Sequence, residues 1–250
     1  MRRRAVTPPI DPSIYGRAFL LLGKNPAICL GPLLAYVAQI LIFKVAPVSG
    51  GGGGVFGGAA TSIVGYLAEI VGWFGVAVAV IVGSHAWRNA RGRASFDEAW
   101  DEARARVADI FWAAIGFEFV ISIAGIVGSF ATGIGAIVLT AVAYFFFLYT
   151  IPAAVVGGTP GGAALNASLE TARRAPLPTL AVTVLWFIAF LFVPSWMISL
   201  LTPVLLGSTI FASAIVSSLL VALVKAVVAG YVALVLAKTF EDASYGRRWS

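Results

Sequence analysis

Long uninterrupted runs of apolar residues constrain the fold of this chain more than any other feature. Several runs reach 18 or more residues, and a helix of ~20 residues, rising 1.5 Å per residue, crosses a hydrocarbon core of ~30 Å. Charged residues make up only 11% of the 250 residues, against roughly 25% in soluble proteins. We therefore expect an integral membrane protein with little soluble mass.

Six apolar segments have the length and composition of transmembrane helices. They are Pro26 to Val45, Ala60 to Trp87, Ile110 to Gly128, Ile134 to Val156, Thr179 to Leu201 and Thr209 to Lys238. Pro194 predicts a kink in the fifth span. The basic start of the chain is not followed by a short apolar region with a cleavage site, so the first span is expected to be retained. The predicted fold is an all-α, polytopic bundle of six transmembrane helices.

Basic residues fall in every second segment between these spans. If the chain crosses six times, fifteen of the seventeen lysines and arginines lie on one side, namely Arg2, Arg3, Arg4, Arg17, Lys24, Arg88, Arg91, Arg93, Arg104, Arg106, Arg173, Arg174, Lys238, Arg247 and Arg248. The opposite loops carry no charge, and one of them contains the glycine run Gly50 to Gly54. The positive-inside rule then places both termini in the cytoplasm. The alanine, valine and arginine bias indicates a GC-rich bacterial genome, and the expected location is the bacterial inner membrane.

The stretch RGRASFDEAWDEARARVADIFWAA, residues 91 to 114, concentrates charge in an otherwise apolar chain. Residues 95 to 111 predict an amphipathic helix whose apolar stripe is Phe96, Ala99, Trp100, Ala103, Val107 and Ile110. Ser95 and Glu98 form a capping box, and Glu102 is spaced to pair with Arg106. We expect this helix to lie on the cytoplasmic surface. Its charges fit a solvated face, and the alternative is a docking surface for a soluble partner.

Two similar elements suggest a repeat. One begins at Asp11, a predicted N-cap followed by Pro12, and the other begins at Thr159 and Pro160. Each predicted surface helix precedes two spans, which gives three units at about 11–87, 95–156 and 159–238. Residues 1–10 would be a cytoplasmic arm, and 239–250 a cytoplasmic tail. The chain is thus predicted to be a single domain with three amphipathic surface helices and a three-fold repeat of pattern.

Residues 145 to 180, FFFLYTIPAAVVGGTPGGAALNASLETARRAPLPTL, combine an aromatic span end, a proline, a glycine turn, an alanine-rich helix and a basic pair before a new span. This arrangement resembles the six-span bacterial membrane domain fused to some glycerophosphodiester phosphodiesterases, and its free-standing relatives of mostly unknown function. The SFDEAW segment fits the earlier surface helix of that family. The resemblance implies the architecture only. The fused enzymes need carboxylate and histidine metal ligands in a soluble domain, which we do not expect in this chain.

Three ionisable residues within the predicted spans are candidates for functional or structural roles: Glu69, Glu118 and Lys225. Glu118 and Lys225 would lie about 12 and about 20 Å from the inner surface of the membrane. They are predicted to form an ion pair that holds the third and sixth spans together. The alternative places them along a water-filled path or proton relay. The sequence assigns no partner to Glu69.

Neither a metal site nor a cofactor is indicated by the motifs of this chain. His85 is the only histidine, Cys29 is the only cysteine, and the glycine run lacks the lysine and helix of a phosphate loop. Cytoplasmic arginines are expected to contact anionic lipid headgroups or a protein partner, namely Arg91, Arg93, Arg104, Arg106, Arg173 and Arg174. Asn166 and Ser168 fit either headgroup contacts or ordinary polar positions. No pattern indicates nucleic-acid binding.

Small and aromatic residues predict the packing of the spans. Pairs of small residues four apart allow close helix contacts: Ala68 and Gly72, Ala124 and Gly128, Ala226 and Gly230. Aromatic residues are expected in interfacial belts or on lipid-facing surfaces, namely Trp73, Trp112, Trp186, Trp196 and residues 145–149.

The preferred interpretation of the sequence is a non-enzymatic membrane protein. It would act as a scaffold or accessory subunit of a membrane complex, or as a lipid-organising protein, with lipids and other subunits as partners. The alternative is a small secondary transporter or permease component that uses Glu69, Glu118 and Lys225. A membrane-embedded enzyme acting on lipid is disfavoured because no nucleophile–base pair or metal-ligand set is recognisable.

Overall fold

Helices account for all regular structure in the residues that the computed structural model describes, which are 10–45, 55–131, 133–193, 195–196, 199 and 214–245. In chain order they are α1 (Ser13–Lys24), a 3-10 turn (Pro26–Cys29), α2 (Leu30–Val45), α3 (Val55–Arg88), α4 (Phe96–Ala105), α5 (Val107–Ala131), α6 (Gly133–Phe147), α7 (Thr150–Val155), α8 (Ala163–Arg174), α9 (Pro176–Phe187), a π-helical turn (Ile188–Phe192) and α10 (Ala214–Tyr245). The all-α prediction is confirmed over these ranges.

Apolar helices long enough to cross a membrane are present at four places: Leu67–Arg88, Val107–Ala131, Gly133–Val155 and Ser218–Ser244. A fifth span arises if α1 and the following helix up to Leu41 are counted together, although they meet at a bend of 94°. The apolar helix Pro176–Phe190 is shorter. These helices indicate a multi-pass membrane protein with four or five candidate spans. Pro194 and the run Gly50 to Gly54 lie outside the described residues.

Two connectors that each lead into an apolar helix have the same backbone geometry. Asn25 follows α1 with φ −131° and ψ 63°, and Ala175 follows α8 with φ −130° and ψ 63°. A proline comes next in both cases and disfavours the helical conformation of the residue before it. The connector of the predicted second unit differs, since Arg106 adopts φ −111° and ψ 18° and no proline follows.

The Asn25 side chain fixes the first connector to the loop between α3 and α4. Its Nδ2 donates hydrogen bonds to the carbonyl oxygens of Leu21 at 2.9 Å and Gly92 at 2.8 Å, and its Oδ1 accepts one from the N–H of Ala94 at 2.9 Å. Asn25 is buried, so this amide satisfies backbone groups that burial would otherwise leave unpaired.

The ends of the predicted surface helices partly match the predictions. The Oδ1 of Asp11 accepts a hydrogen bond from the N–H of Ser13 at 2.9 Å, which is the predicted capping role. Hydrogen bonds from Ser13 lower the pKa of the Asp11 carboxyl. The helix predicted to begin at Thr159 begins at Ala163, after a turn.

The predicted helix over 95–111 is wrong in one respect, because it is broken at Arg106. Ser95 caps α4 by accepting from the N–H of Glu98 at 3.4 Å, and Glu102 pairs with Arg106 at 3.3 Å, as predicted. The chain then changes direction into α5. Val107 is therefore exposed, although the predicted apolar stripe included it, while the stripe residues Ala99, Ala103 and Ile110 are buried.

Helix α3 is the central element and packs against α2, α4, α5, α7 and α10. Glycines bring its neighbours close. A Cβ added to Gly75 would lie 2.7 Å from the carbonyl oxygen of Gly31 in α2, and one added to Gly83 would lie 3.3 Å from the Cα of Leu234 in α10. Val76 to Val82 between them are fully or almost fully buried. Small residues thus allow three backbones to approach at van der Waals distance.

The predicted small-residue pairs also mark close contacts. A Cβ added to Gly72 would lie 2.7 Å from the Gln39 amide. One added to Gly128 would lie 2.5 Å from the Cα of Ala136, and one added to Gly230 would lie 3.1 Å from the Ile28 side chain. The α2–α3, α5–α6 and α10 contacts therefore each depend on a glycine.

Helix α10 continues beyond its predicted end at Lys238 to Tyr245. Glu241 is buried there, and its Oε1 accepts from Ser84 Oγ at 2.6 Å and lies 2.8 Å from Arg88 Nη2. Lys238 and Asp242 form an ion pair at 2.6 Å. Residues 239–245 thus extend a packed helix where a tail was predicted, and they join α10 to the end of α3.

Replacing Gly75 with Ala is expected to destabilise the protein by about 1–3 kcal/mol, because the new methyl group overlaps the α2 backbone. Thermal or denaturant unfolding in detergent micelles would measure this. Gly65→Ala is the matched control, since no atom lies within 4 Å of a Cβ at that position on the same helix. Equal stability of the two variants would contradict the close α2–α3 contact.

Candidate functional site

A cavity of about 650 Å³ lies among the apolar helices, and residues from each of the six predicted spans line it. The contributing elements are α2, α3, α5, α6, α9 with its π-helical turn, and α10. The lining residues are Tyr36, Gln39, Gly65, Glu69, Gly72, Trp73, Val76, Glu118, Ile121, Ser122, Tyr144, Trp186, Phe190 and Lys225. The three ionisable residues singled out from the sequence, Glu69, Glu118 and Lys225, therefore belong to one site.

The carboxyl group of Glu118 is held by α3. Trp73 Nε1 donates a hydrogen bond to Glu118 Oε1, and this contact ties α5 to α3 within the apolar region. The Glu69 carboxyl is close enough to interact with that of Glu118. Glu69 is the more exposed of the two. Two acidic groups from adjacent helices thus face the same space.

Lys225 does not form the predicted ion pair with Glu118. Its Nζ lies 5.8 Å from the ring centroid of Tyr36, a cation–π arrangement, and no salt bridge within 4 Å joins it to a carboxylate of the described residues. The reason is helix packing. Helix α10 packs against α2 and α3, whereas α5 packs mainly against α6, α7 and α3. The two charges therefore line different parts of the cavity.

Aromatic rings form one continuous wall of the cavity. Trp73 and Trp186 are stacked, with centroids 5.5 Å apart and planes inclined by 9°. The ring centroid of Trp186 also lies 6.2 Å from that of Tyr144 and 4.2 Å from that of Phe190. Phe117 packs edge-on against Trp73 at 4.8 Å and supports the wall from behind. Such contacts contribute about 0.5–1.5 kcal/mol per ring pair beyond apolar burial.

This wall corrects the predicted role of several aromatic residues. Trp73 and Trp186 are only 9% and 7% exposed, and Tyr149 is fully buried, so they do not form an interfacial belt. Trp112 and Trp196 are exposed, as a lipid-facing position requires. A hydrophobic residue in a span has the same composition signal whether it faces lipid or a cavity, which is why the sequence did not separate these cases.

The π-helical turn over Ile188–Phe192 places Phe190 on the cavity. A π turn widens the helix by one residue and occurs frequently at functional sites. Here it directly follows Trp186, one of the two stacked indoles. The irregular segment of α9 is therefore part of the cavity wall.

Two polar residues of the cavity were not singled out from the sequence. Gln39 Nε2 donates a hydrogen bond to the carbonyl oxygen of Ala68 at 2.6 Å. The same amide packs on Gly72, at the position where a side chain would otherwise be. Tyr36 provides the ring beneath Lys225. The sequence feature that could have identified Gln39 is its amide within an otherwise apolar run. A polar group inside a span is costly unless it is hydrogen-bonded, so such a residue is expected to have a specific partner.

The other predicted contact residues lie at the ends of helices or in the connections between them. Arg91, Arg93, Arg104 and Arg173 are exposed. Arg106 donates to the carbonyl oxygen of Val155 at 2.8 Å, and Arg174 pairs with Glu170 at 2.8 Å. His85 Nε2 lies 3.2 Å from Glu102 Oε2. The described residues contain no cluster of three metal-ligating side chains.

Ser168 is a structural residue, whereas Asn166 is exposed. The Ser168 hydroxyl accepts from the N–H of Tyr149 at 3.0 Å and donates to the carbonyl oxygen of Phe146 at 2.9 Å. These bonds bridge the break between α6 and α7 and fix α8 against it. The ordinary polar interpretation of Ser168 is therefore confirmed.

Double-mutant cycles are expected to separate the two contacts of Glu118. Glu118→Gln combined with Lys225→Met should give a coupling energy below about 0.5 kcal/mol, because the groups do not touch, whereas Trp73→Phe with Glu118→Gln should give about 0.5–3 kcal/mol. Unfolding free energies in mixed micelles provide the measurement. A larger coupling for the lysine pair would restore the ion pair predicted from the sequence.

Comparison with known proteins found no match to the chain among protein-family models, curated proteins or solved structures.

Proposed function

We propose that this chain is a small membrane transporter, or the solute-binding component of a permease, and that its solute occupies the cavity. The observation that carries the proposal is the gathering of Glu69, Glu118 and Lys225 around one open space without a direct Glu118–Lys225 ion pair. A cavity of about 650 Å³ falls in the range of roughly 300–1,000 Å³ that is usual for small-molecule sites.

The free-energy cost of placing Glu69, Glu118 and Lys225 within the membrane favours a functional role for them. An ionisable group in the middle of a bilayer costs about 2.5–3.5 kcal/mol even on insertion scales, and such groups usually line substrate or ion pathways. A purely structural role is best served by direct pairing, which removes the charges from the apolar region. Glu118 and Lys225 instead face a shared cavity, where a solute or water can reach both.

The depth of the site suits alternating access from the two sides of the membrane. Trp73 lies fifteen residues before Arg88, the last residue of α3, and Glu118 lies eleven residues after Val107, the first residue of α5. At 1.5 Å per residue these positions are about 22 and 17 Å from the helix ends, near the middle of a core of ~30 Å. Transporters commonly bind solutes at the midplane, between helices interrupted like α9.

The role of a scaffold, accessory subunit or lipid-organising protein is the second candidate, and it is favoured by the outer surface. Helices α5 and α6 expose a run of large apolar side chains, including Phe119, Ile126, Val127, Phe130, Ile134 and Ile137. Four exposed arginines, at 91, 93, 104 and 173, are available to anionic headgroups. These features suit lipids or another subunit of a membrane complex, but they leave the cavity and its charges without a role.

The proposed topology has six spans, three amphipathic surface helices and both termini in the cytoplasm of a bacterial inner membrane. It is supported by the loop charges, and it is the architecture of the six-span family that residues 145 to 180 resemble.

Reporter fusions test this topology. Green fluorescent protein fused after Ser250, or after Gly92, should fluoresce, whereas alkaline phosphatase at the same positions should be inactive, because both sites would face the cytoplasm. Alkaline phosphatase inserted at Gly52 is the opposite control and should be active. Active alkaline phosphatase after Ser250 would mean an odd number of spans.

Filling the cavity tests the proposed function. Gly65 lines the cavity, and no atom lies within 4 Å of an added Cβ, so Gly65→Trp is expected to occupy the space without disturbing the backbone. Uptake of a panel of charged and neutral small solutes into proteoliposomes should show at least one transported solute. The variant should lower its flux by about tenfold or more, as expected when about 1.4 kcal/mol or more of binding energy is lost.

Gly133→Trp is the matched control, because Gly133 has equal space for a Cβ but does not line the cavity. It should transport at the wild-type rate. Two results would contradict the proposal: no solute of the panel crossing with the wild-type protein, or undiminished flux with Gly65→Trp.

A further inference from the structure

We propose that the cavity selects a solute with an organic cationic group on an apolar, preferably aromatic, body. The cation would lie at the carboxyl pair Glu69–Glu118, and the apolar body would lie against the ring wall of Trp73, Trp186 and Tyr144. This inference rests on the proposed transport function and adds the chemical class of the solute.

The carboxyl pair lacks a positive charge of its own. Glu118 accepts a hydrogen bond from Trp73 and interacts with Glu69, and neither carboxyl forms an ion pair with a described basic side chain. Two neighbouring carboxylates repel strongly in a low-dielectric environment. A bound cation relieves this repulsion.

The aromatic wall favours the same class of ligand. The faces of Trp and Tyr rings attract cations within about 6 Å, and most strongly when water is excluded. The stacked indoles of Trp73 and Trp186, with Tyr144 beside them, line the cavity together with Glu118. The same rings offer apolar surface to the body of the solute. A cation that is small and fully hydrated would not use this surface.

Other classes of ligand fit less well. An anion would face two carboxyls, and Lys225, the one basic side chain of the described lining, lies on Tyr36. A metal ion would find no group of three histidine, cysteine or acidic ligands among the described residues. A zwitterion would need a second contact at Lys225, away from the carboxyl pair.

No described basic side chain neutralises the carboxyl pair, so an entering cation would supply the missing positive charge. Polar side chains of four helices line the cavity beside the two glutamates: Trp73 on α3, Ser122 on α5, Tyr144 on α6 and Lys225 on α10. Lys225 is the one basic side chain of the described lining, and it lies on Tyr36, away from the carboxyl pair.

Three compounds with one aromatic body separate the classes: phenethylammonium as the cation, phenylalanine as the zwitterion and phenylacetate as the anion. Isothermal titration of each into the full chain in phosphatidylcholine nanodiscs measures binding. Phenethylammonium should bind, and phenylacetate should not bind. Glu118→Gln and Glu69→Gln should each weaken the binding of this cation by about tenfold or more. A tenfold change corresponds to the loss of a charge-assisted contact of about 1.4 kcal/mol.

Glu170→Gln is the control for loss of an exposed carboxylate, because Glu170 lies on α8 and contacts Arg174. It should bind phenethylammonium like the wild type. Lys225→Met should retain or strengthen cation binding. If Glu118→Gln fails to assemble, the exposed Glu69→Gln variant still tests the pair.

Several outcomes would overturn the cation class. These are phenylacetate binding that Lys225→Met abolishes, phenylalanine binding that needs both Glu118 and Lys225, or phenethylammonium binding that is unchanged in the glutamate variants. The two proposals fail separately. If the cation binds at the pair but never crosses proteoliposomes, the class stands and transport fails. If an anion crosses by a route that Gly65→Trp blocks, transport stands and the class fails.

Discussion

The close contact of α3 with its neighbours is the constraint on which the other features depend. Gly75 meets the backbone of Gly31, and Gly83 meets that of Leu234, so α2 and α10 lie directly against α3. A backbone approach of this kind is possible only where side chains are absent, and it replaces the hydrophobic driving force that lipid removes. Because α3 also carries Glu69 and Trp73, its packing determines what those side chains can reach.

The same packing explains how an apolar bundle contains a charged cavity. Where α2, α3 and α10 are tightly packed, no space remains. Towards Gly65 and Gly72 the small residues leave room, and the side chains of Gln39, Glu69 and Trp73 surround it. Helix α5 closes the other side through the Trp73–Glu118 hydrogen bond. A polar contact between helices thus holds open a space that apolar packing would otherwise fill, and this is the physical basis of the proposed solute site.

Much of the fold was predictable because spans and surface helices are read from periodicity and composition. The all-α class, the Ser95 cap and the Glu102–Arg106 pair followed from local patterns and are confirmed. The break at Arg106 and the continuation of α10 beyond Lys238 were not predicted. Both depend on tertiary contacts, such as the buried Glu241 with Ser84 and Arg88, that no local pattern encodes.

The candidate site was predictable in its residues and not in its geometry. Rarity alone identified Glu69, Glu118 and Lys225, since charge within a span is costly. The similar depths of Glu118 and Lys225 in the membrane suggested that they form an ion pair. The depth of a residue, however, does not indicate which helices are neighbours. The roles of Trp73 and Trp186 were mistaken for the same reason: a tryptophan in a span has no sequence feature that separates a lipid-facing position from a stacked cavity wall.

The accessibility of Ser122 tests the central claim, that the cavity is a solute site, most directly. Ser122 lines the cavity one helical turn from Glu118, and Cys29 is the only native cysteine, so Ser122→Cys in a Cys29→Ala background presents a single thiol at the site. A membrane-impermeant thiol reagent would be applied to one face of proteoliposomes at a time. We expect the thiol to react from at least one face and to be protected by Gly65→Trp. A thiol that is inert from both faces would show a sealed interior and contradict the account.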